Sequence, residues 1–325
     1  MSLERKDHMT SGKCAALHST IKNEMKKVIV GQEAVIEEII ICMLSGGHVL
    51  LEGVPGTAKT LMAKTLSAIV SAEFRRVQFT PDLMPSDLTG THIYDMHSKE
   101  FRLQKGPIFT NFLLADEINR TPPKTQSALL EAMEERQVTI EGETCPLPPL
   151  FMVFATQNPL EFEGTYPLPE AQIDRFMMKV LIDYPSFGDE REVVRKYHQG
   201  FNARSLADCG LAEVHLPLPG EIAAEIREIA VSDPVIDYIT EITAATRKNS
   251  ALSMGVSPRG SICLLLCGKA LAALEGREFV LPDDIKRLAC PVLRHRVMLR
   301  PEAELDGVKA DEVIRNIIRN VNVPR

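Results

Sequence analysis

"LLEGVPGTAKTLMAKTL", Leu50–Leu66, ends an apolar run, turns through two glycines and enters a helical pattern. A phosphate-binding loop is built in that order, strand, glycine-bearing turn and helix N-terminus. Gly53 and Gly56 let the backbone aim successive N–H groups at phosphate oxygens, with Val54, Pro55 and Thr57 as the other turn residues. Lys59 is spaced to reach the β- and γ-phosphates and Thr60 to place its hydroxyl on Mg²⁺, and Leu61 closes the stretch. One position departs from the usual G-x-x-x-x-G-K-[ST] pattern: Ala58 stands where glycine is expected. Alanine is tolerable there if its φ is negative at the helix start.

Working outward, four further short runs read as strands. They are "FRRVQFT" (74–80), "NFLLADEI" (111–118), "FMVFATQN" (151–158) and "MKVLIDYP" (178–185), beside "HVLLEGV" (48–54). Near-continuous apolar strands suit a parallel sheet covered on both faces. Helical patterns lie between them, including "TPPKTQSALLEAMEERQ", with Thr121 as N-cap and Pro122 at the first helical position. The alternation predicts an α/β doubly wound domain. Two polar-turned segments, 91–108 and 136–148, read as β-hairpin inserts. Beyond Tyr184-Pro185 the strand signal fades into four helical patterns of a small all-α domain. The expected division is an N-terminal arm and leading helix (1–27), the α/β domain (28–185) and a helical domain (186–325).

Chemistry gathers at strand ends. "FLLADE" finishes an apolar strand with Asp116 and Glu117, where an open sheet exposes its ligand edge. Asp116 suits an outer partner of Mg²⁺, and Glu117 suits orienting and activating a water. Asn158, ending "FMVFATQN", suits holding that water or the γ-phosphate. By spacing alone, Arg175 and Arg259 read as surface salt-bridge residues.

Bulk properties narrow the function. A chain of 325 residues, 45% hydrophobic and 25% charged, can bury a real core. A net charge of −7 supplies no broad basic face and disfavours nucleic-acid partners. The short clusters Arg75-Arg76 and Arg294-His295-Arg296 read as solvated surface. No apolar run is long enough to span a bilayer, and the start "MSLERKDHMTSGK" has no apolar h-region, which points to the cytoplasm. The seven cysteines are scattered and odd in number, so they form no disulfide framework. Cys263 and Cys267, four apart on one helix face, read as small buried hydrophobes.

"GVPGTAKT", "LLADEINR", "FATQNP", "GTYPLPEAQIDRF" and "SPRG", in this order, resemble the MoxR family of AAA+ ATPases. The likeness runs from about Val28 to about Arg300, and alanine at the Ala58 position is a habit of that family. It implies a P-loop AAA+ parallel-sheet domain with a C-terminal all-α lid, binding ATP with Mg²⁺. "VIVGQE" resembles the box beside the adenine, which implicates Val30, Gly31 and Gln32. Asn158 matches sensor 1, Arg259 the sensor-2 arginine of the lid, and Arg175 an arginine finger acting on ATP held by a neighbouring subunit. The hairpins match the helix-2 insert and the pre-sensor-1 hairpin. The resemblance further implies a homo-oligomeric, hexameric ring. It also implies chaperone-like work on protein clients, with a partner bearing a von Willebrand factor A domain. The rival expectations are a nucleic-acid motor of the same branch and an ATP-binding scaffold with little turnover.

Overall fold

The computed structural model describes residues 12–158, 165–216 and 219–324. The expected N-terminal arm up to residue 11, and residues 159–164 with Gly164 of the quoted motif, lie outside them. The chain divides into two compact units, residues 23–215 and residues 1–22 joined with 216–325.

The first unit is built on five parallel strands. Helix α1 (Lys13–Val28) belongs to the other unit up to Lys22 and to this one from Asn23, and α2 (Glu33–Leu44) leads into β1 (Val49–Gly53), followed by α3 (Lys59–Ile69) and β2 (Phe74–Gln78). A short helix α4 (Pro85–Thr89) precedes a hairpin of β3 (Gly90–Asp95) and β4 (Glu100–Lys105). Then come β5 (Phe112–Asp116), α5 (Pro123–Glu135), a second hairpin of β6 (Gln137–Ile140) and β7 (Glu143–Pro146), and β8 (Met152–Gln157). The short α6 (Glu170–Ile173), β9 (Met178–Ile182) and α7 (Phe187–His198) complete the unit.

The sheet order is β2-β5-β8-β1-β9. From β1 the chain crosses to the far edge at β2, returns inward through β5 and β8, and then takes β9 on the other side of β1. Strand order therefore reverses beside β1, which opens a crevice beyond the strands' carboxyl ends. The inner strands β5 and β8 are buried along nearly their whole length, whereas edge strand β2 is half exposed. That gradient is why the inner strands read as unbroken apolar runs. Phe112 and Phe154 on these neighbours meet edge to face, with centroids 5.5 Å apart. His48 is a satisfied core residue: its Nδ1 accepts from Val153 N–H at 3.0 Å and its Nε2 faces Met133 O at 3.1 Å. The ring is therefore neutral, with its proton on Nε2.

The second unit is helical. It contains α8 (Pro219–Glu228), α9 (Asp233–Lys248), α10 (Pro258–Leu274) and α11 (Pro282–Leu293). A two-stranded pair, β10 (Leu252–Met254) with β11 (Met298–Leu299), joins them. After α12 (Pro301–Leu305) comes a helix the sequence reading did not isolate, α13 (Ala310–Asn320), which buries Val313, Ile314 and Ile317. Cys263 and Cys267 are both buried on α10. No helix among the described residues is long and apolar enough to cross a membrane.

Three local expectations differ from the structure. Residues 186–215, assigned to the helical domain, group with the sheet; Val214 N–H donates to Ile69 O at the end of α3, 2.6 Å away, which ties this segment back. Helix α5 starts at Pro123, and Thr121 is no cap, because its hydroxyl donates to Thr80 O at 3.2 Å across a loop. Ala58 does not have negative φ: it sits at φ 63°, ψ 20°, in the left-handed region.

The Ala58 result explains the usual glycine. After Gly56, itself at φ 86°, the loop must reverse into α3, and the residue before Lys59 completes the reversal. A Cβ in that conformation costs about 1–2 kcal/mol. Gly53 answers to a different constraint from the turn expected of it, since a methyl there would collide with the carbonyl of Ile182 on β9. Ala58→Gly should therefore stabilise the nucleotide-free protein. The relieved strain exceeds the roughly 0.4–1 kcal/mol of added unfolded-chain entropy. A lower urea midpoint for Ala58→Gly than for the wild type would show that the left-handed backbone carries no such cost.

Candidate functional site

A cavity of about 690 Å³ opens at the carboxyl ends of the strands, lined from the first unit alone. Pro55 to Leu61 form one wall, and Asp116, Glu117 and Asn158 another. Val30 and Gln32 line it too. Gln32 is anchored by a 3.0 Å bond from Nε2 to Asp183 O.

The loop's geometry suits an anion. Gly56 has positive φ and open space where a Cβ would stand, so nothing fills the bowl from that side. Helix α3, eleven residues long, presents its N-terminus to the cavity. Lys59 Nζ donates to the loop's own carbonyls, Gly53 O at 2.7 Å and Val54 O at 2.9 Å. Thr57 Oγ1 ties to Val54 O at 2.9 Å, which fixes the turn. Burial pulls the Lys59 pKa below its usual value, against the upward pull of Asp116 and Glu117.

The acidic pair is held with defined orientation. Thr156, at the end of β8, donates from Oγ1 to Asp116 Oδ1 at 2.6 Å and accepts the N–H of Glu117 at 2.8 Å. Glu117 stands at φ 57°, ψ 52°, another left-handed non-glycine residue. Such strain persists where surrounding bonds over-determine it. The Glu117 carboxylate accepts from Gln78 Nε2 at 2.8 Å and Arg120 Nη1 at 3.0 Å. Asp116 Oδ2 accepts from Arg76 Nε and Nη2 at 3.0 and 2.7 Å.

Arg76 is exposed, as read, yet its guanidinium is committed to Asp116 across the β2–β5 pair. Arg75, exposed as well, pairs with Glu73 at 2.9 Å. The solvated-surface reading is corrected at the other cluster: Arg296 is buried at 3%, with Nη2 3.3 Å from Cys263 Sγ, and Arg294 is held by Asp311 at 2.8 Å. Thr156 and Gln78 were not singled out. Each is a polar residue near the end of a strand flanking β5, a signal readable only once the strand order is known. The cavity's apolar wall was missed as well. Tyr184, Tyr197 and Phe201 line it, and the last two meet edge to face at 5.2 Å.

The remaining expected residues fall elsewhere. Arg175 follows α6, is half-buried, and donates from Nη1 to Leu130 O on α5 at 2.6 Å. It is not in the lining of its own unit's cavity. Arg259 belongs to the helical unit, in the first turn of α10. Gly31, Gly53 and Val54 shape their loops without lining the cavity.

Comparison with known proteins fits this geometry. The sequence model of the ATPase family associated with various cellular activities (AAA) matches residues 48–178, and that of the AAA lid domain matches residues 244–317. Chaperone MoxR1 of Mycobacterium tuberculosis is 44% identical over 314 residues, covering 93% of this chain and 81% of that protein. Protein MoxR of Paracoccus denitrificans is 32% identical, covering 85% and 87% of the two chains. A solved structure of a Cytophaga hutchinsonii protein, provisionally titled an ATPase, superposes with a TM-score of 0.87. It is 43% identical, and the match covers 97% of both chains. With the AAA match falling on the sheet unit, the AAA lid match on the helical unit and MoxR relatives 32–44% identical along most of the chain, the protein belongs to the MoxR family of AAA+ ATPases.

Proposed function

We infer that this ATPase hydrolyses MgATP in the cavity at the strand ends and works as an assembled ring on protein clients. One observation carries the first half: Lys59 and the oriented pair Asp116–Glu117 line one cavity at the N-terminus of α3. The backbone N–H groups of Gly56–Lys59 and the Lys59 ammonium would hold the β- and γ-phosphates. Val30, Gly31 and Gln32, with Tyr184 and Tyr197, would take the base. Thr60 and Asp116 would hold Mg²⁺, which supplies charge neutralisation at the phosphate oxygens. Glu117 would orient the attacking water and accept its proton, and Asn158 would fix the water or the γ-phosphate.

The second half rests on Arg175 and on the family. Arg175 is half-buried, with Nη1 held by Leu130 O, and lies outside its own unit's cavity lining, which supports its service to a neighbouring subunit's ATP. A fixed guanidinium stabilises charge spread over the transferring phosphoryl oxygens, so a finger supplied in trans makes turnover depend on assembly. Head-to-tail contacts that close generate a ring, here a hexamer. Arg259 completes the set from the lid. The chaperone name of the Mycobacterium relative supports protein clients. A von Willebrand factor A domain partner is the family's expectation for delivering them. The seven cysteines are free thiols, in keeping with a reducing compartment such as the cytoplasm.

Removing Lys59 and removing Glu117 should have different consequences. Lys59→Ala should abolish nucleotide binding by calorimetry. Glu117→Gln should bind ATP as the wild type does while kcat falls about 100-fold or more. Equal slow turnover by the wild type and Glu117→Gln would make the chain an ATP-binding scaffold.

Arg175→Ala should fold, bind ATP and lose roughly 10³-fold in kcat. Mixing it with Glu117→Gln should restore part of the rate through mixed interfaces. No recovery, with assembly confirmed by light scattering, would exclude a finger acting in trans.

The lowered Lys59 pKa sets a pH signature. Between that pKa and the ordinary lysine value the unfolded chain binds more protons, so the Lys59 contribution to nucleotide-free stability rises with pH. Over the same alkaline window ATP affinity should fall, because the ammonium is being lost. Titrating ATP affinity upward from pH 7, against Lys59→Arg, should show the wild type weakening at the lower pH; coincident profiles would contradict the shift.

A further inference from the structure

The two carboxylates are joined through side chains on β2. Arg76 and Gln78 are two residues apart on that strand and so share a face of the sheet, and Gln78 is in register with Asp116 on β5. Arg76 reaches diagonally, donating to Asp116 Oδ2 from Nε at 3.0 Å and from Nη2 at 2.7 Å. The same Nη2 donates to Gln78 Oε1 at 2.9 Å. Gln78 then donates from Nε2 to Glu117 Oε2 at 2.8 Å.

A primary amide has one accepting end and one donating end, and a guanidinium has no acceptor. Arg76 can take only the carbonyl end of Gln78, which leaves the NH₂ end for Glu117. Turned the other way, Gln78 would set its carbonyl against a carboxylate and its NH₂ against a cation. The arginine therefore decides which group Gln78 shows to Glu117.

We propose that Arg76 is a positioning residue of the ATPase site: it fixes the polarity of the Gln78 amide, through it the orientation of Glu117, and grips Asp116 opposite Thr156. This rests on the roles inferred above for Asp116 and Glu117. The competing role, plain neutralisation of Asp116, would be met by any cation on β2. Lysine keeps the charge but has no second nitrogen to bond Asp116 in parallel as Nε does, so its ammonium is not locked at the point where Nη2 meets both Asp116 and Gln78.

Arg76→Lys is therefore the informative variant. It should melt with the wild type and bind ATP within about twofold, yet lose roughly tenfold in kcat through misplacement of Glu117. In the Gln78→Leu background the same substitution should cost less than about twofold, because the relay is already cut. A wild-type kcat for Arg76→Lys, or an undiminished loss beside Gln78→Leu, would overturn the proposal. A second readout needs no turnover. The Gln78 side-chain amide NMR pair of the nucleotide-free protein, assigned by its loss in Gln78→Leu, should be well split in the wild type. In Arg76→Lys it should converge on the values of an exposed glutamine, and an unchanged pair would equally overturn the relay. A wild type without ATPase turnover whose Gln78 signal still responds to Arg76→Lys would count against the carboxylates' roles and support the relay.

Discussion

A strand enclosed on both faces has no room for charge along its length. That exclusion organises the whole sheet unit. Strand β5 runs through four buried residues, Phe112 to Ala115, and becomes polar only at Asp116. Strand β8 does the same, buried from Met152 to Thr156 and less so at Gln157. The register sets Ala115 beside Ala155, so the next residues along, Asp116 and Thr156, finish level. The hydroxyl of Thr156, a residue 1% exposed, can then hold both the Asp116 carboxylate and the Glu117 backbone. The polar groups of the site are concentrated at one edge because the interior admits them nowhere else.

Two backbone positions at this edge are strained, and each is held by bonds the strand ends supply. Glu117 turns left-handed immediately after β5, which swings its side chain away from the strand line toward Gln78 and Arg120. Ala58 turns left-handed immediately before α3, which brings Lys59 back over the carbonyls of Gly53 and Val54. A relaxed backbone at either place would send the functional side chain elsewhere. Residues that break a local rule at a site, with the surroundings enforcing the break, are where function and local propensity part.

The same logic decides what was legible in the sequence. Lys59, Asp116 and the apolar runs could be read because each depends on neighbours in the chain: a strand, its end, and the helix that follows. Thr156, Arg76 and Gln78 could not, because their partners lie on other strands and depend on β2, β5 and β8 being adjacent. Arg75 and Arg76 look alike as letters, yet successive residues of a strand point to opposite faces. Both are about half exposed, yet one pairs with Glu73 and the other with Asp116. The sign of φ at Ala58 was likewise hidden, since alanine is a good helix starter locally and only the loop's reversal demands otherwise. Residues 186–215 read as part of the helical domain because they contain no strand, although their aromatic side chains finish the cavity that β1 begins.

The acidic edge is also connected to the two hairpins. From Glu117 the chain passes through the turn Ile118–Arg120 into α5, and after α5 ends at Glu135 the left-handed Arg136 leads directly into β6. At the far end of that hairpin Glu141 and Glu143 flank His92 of β3, with Nδ1 3.1 Å from Glu141 and Nε2 3.9 Å from Glu143. Thr91 Oγ1 reaches Glu141 as well, at 3.4 Å. The β3–β4 hairpin carries exposed Tyr94, Met96 and Phe101 beyond this clamp. Helix α5 thus joins the Glu117 turn to β6–β7, and His92 and Thr91 join that hairpin to the first.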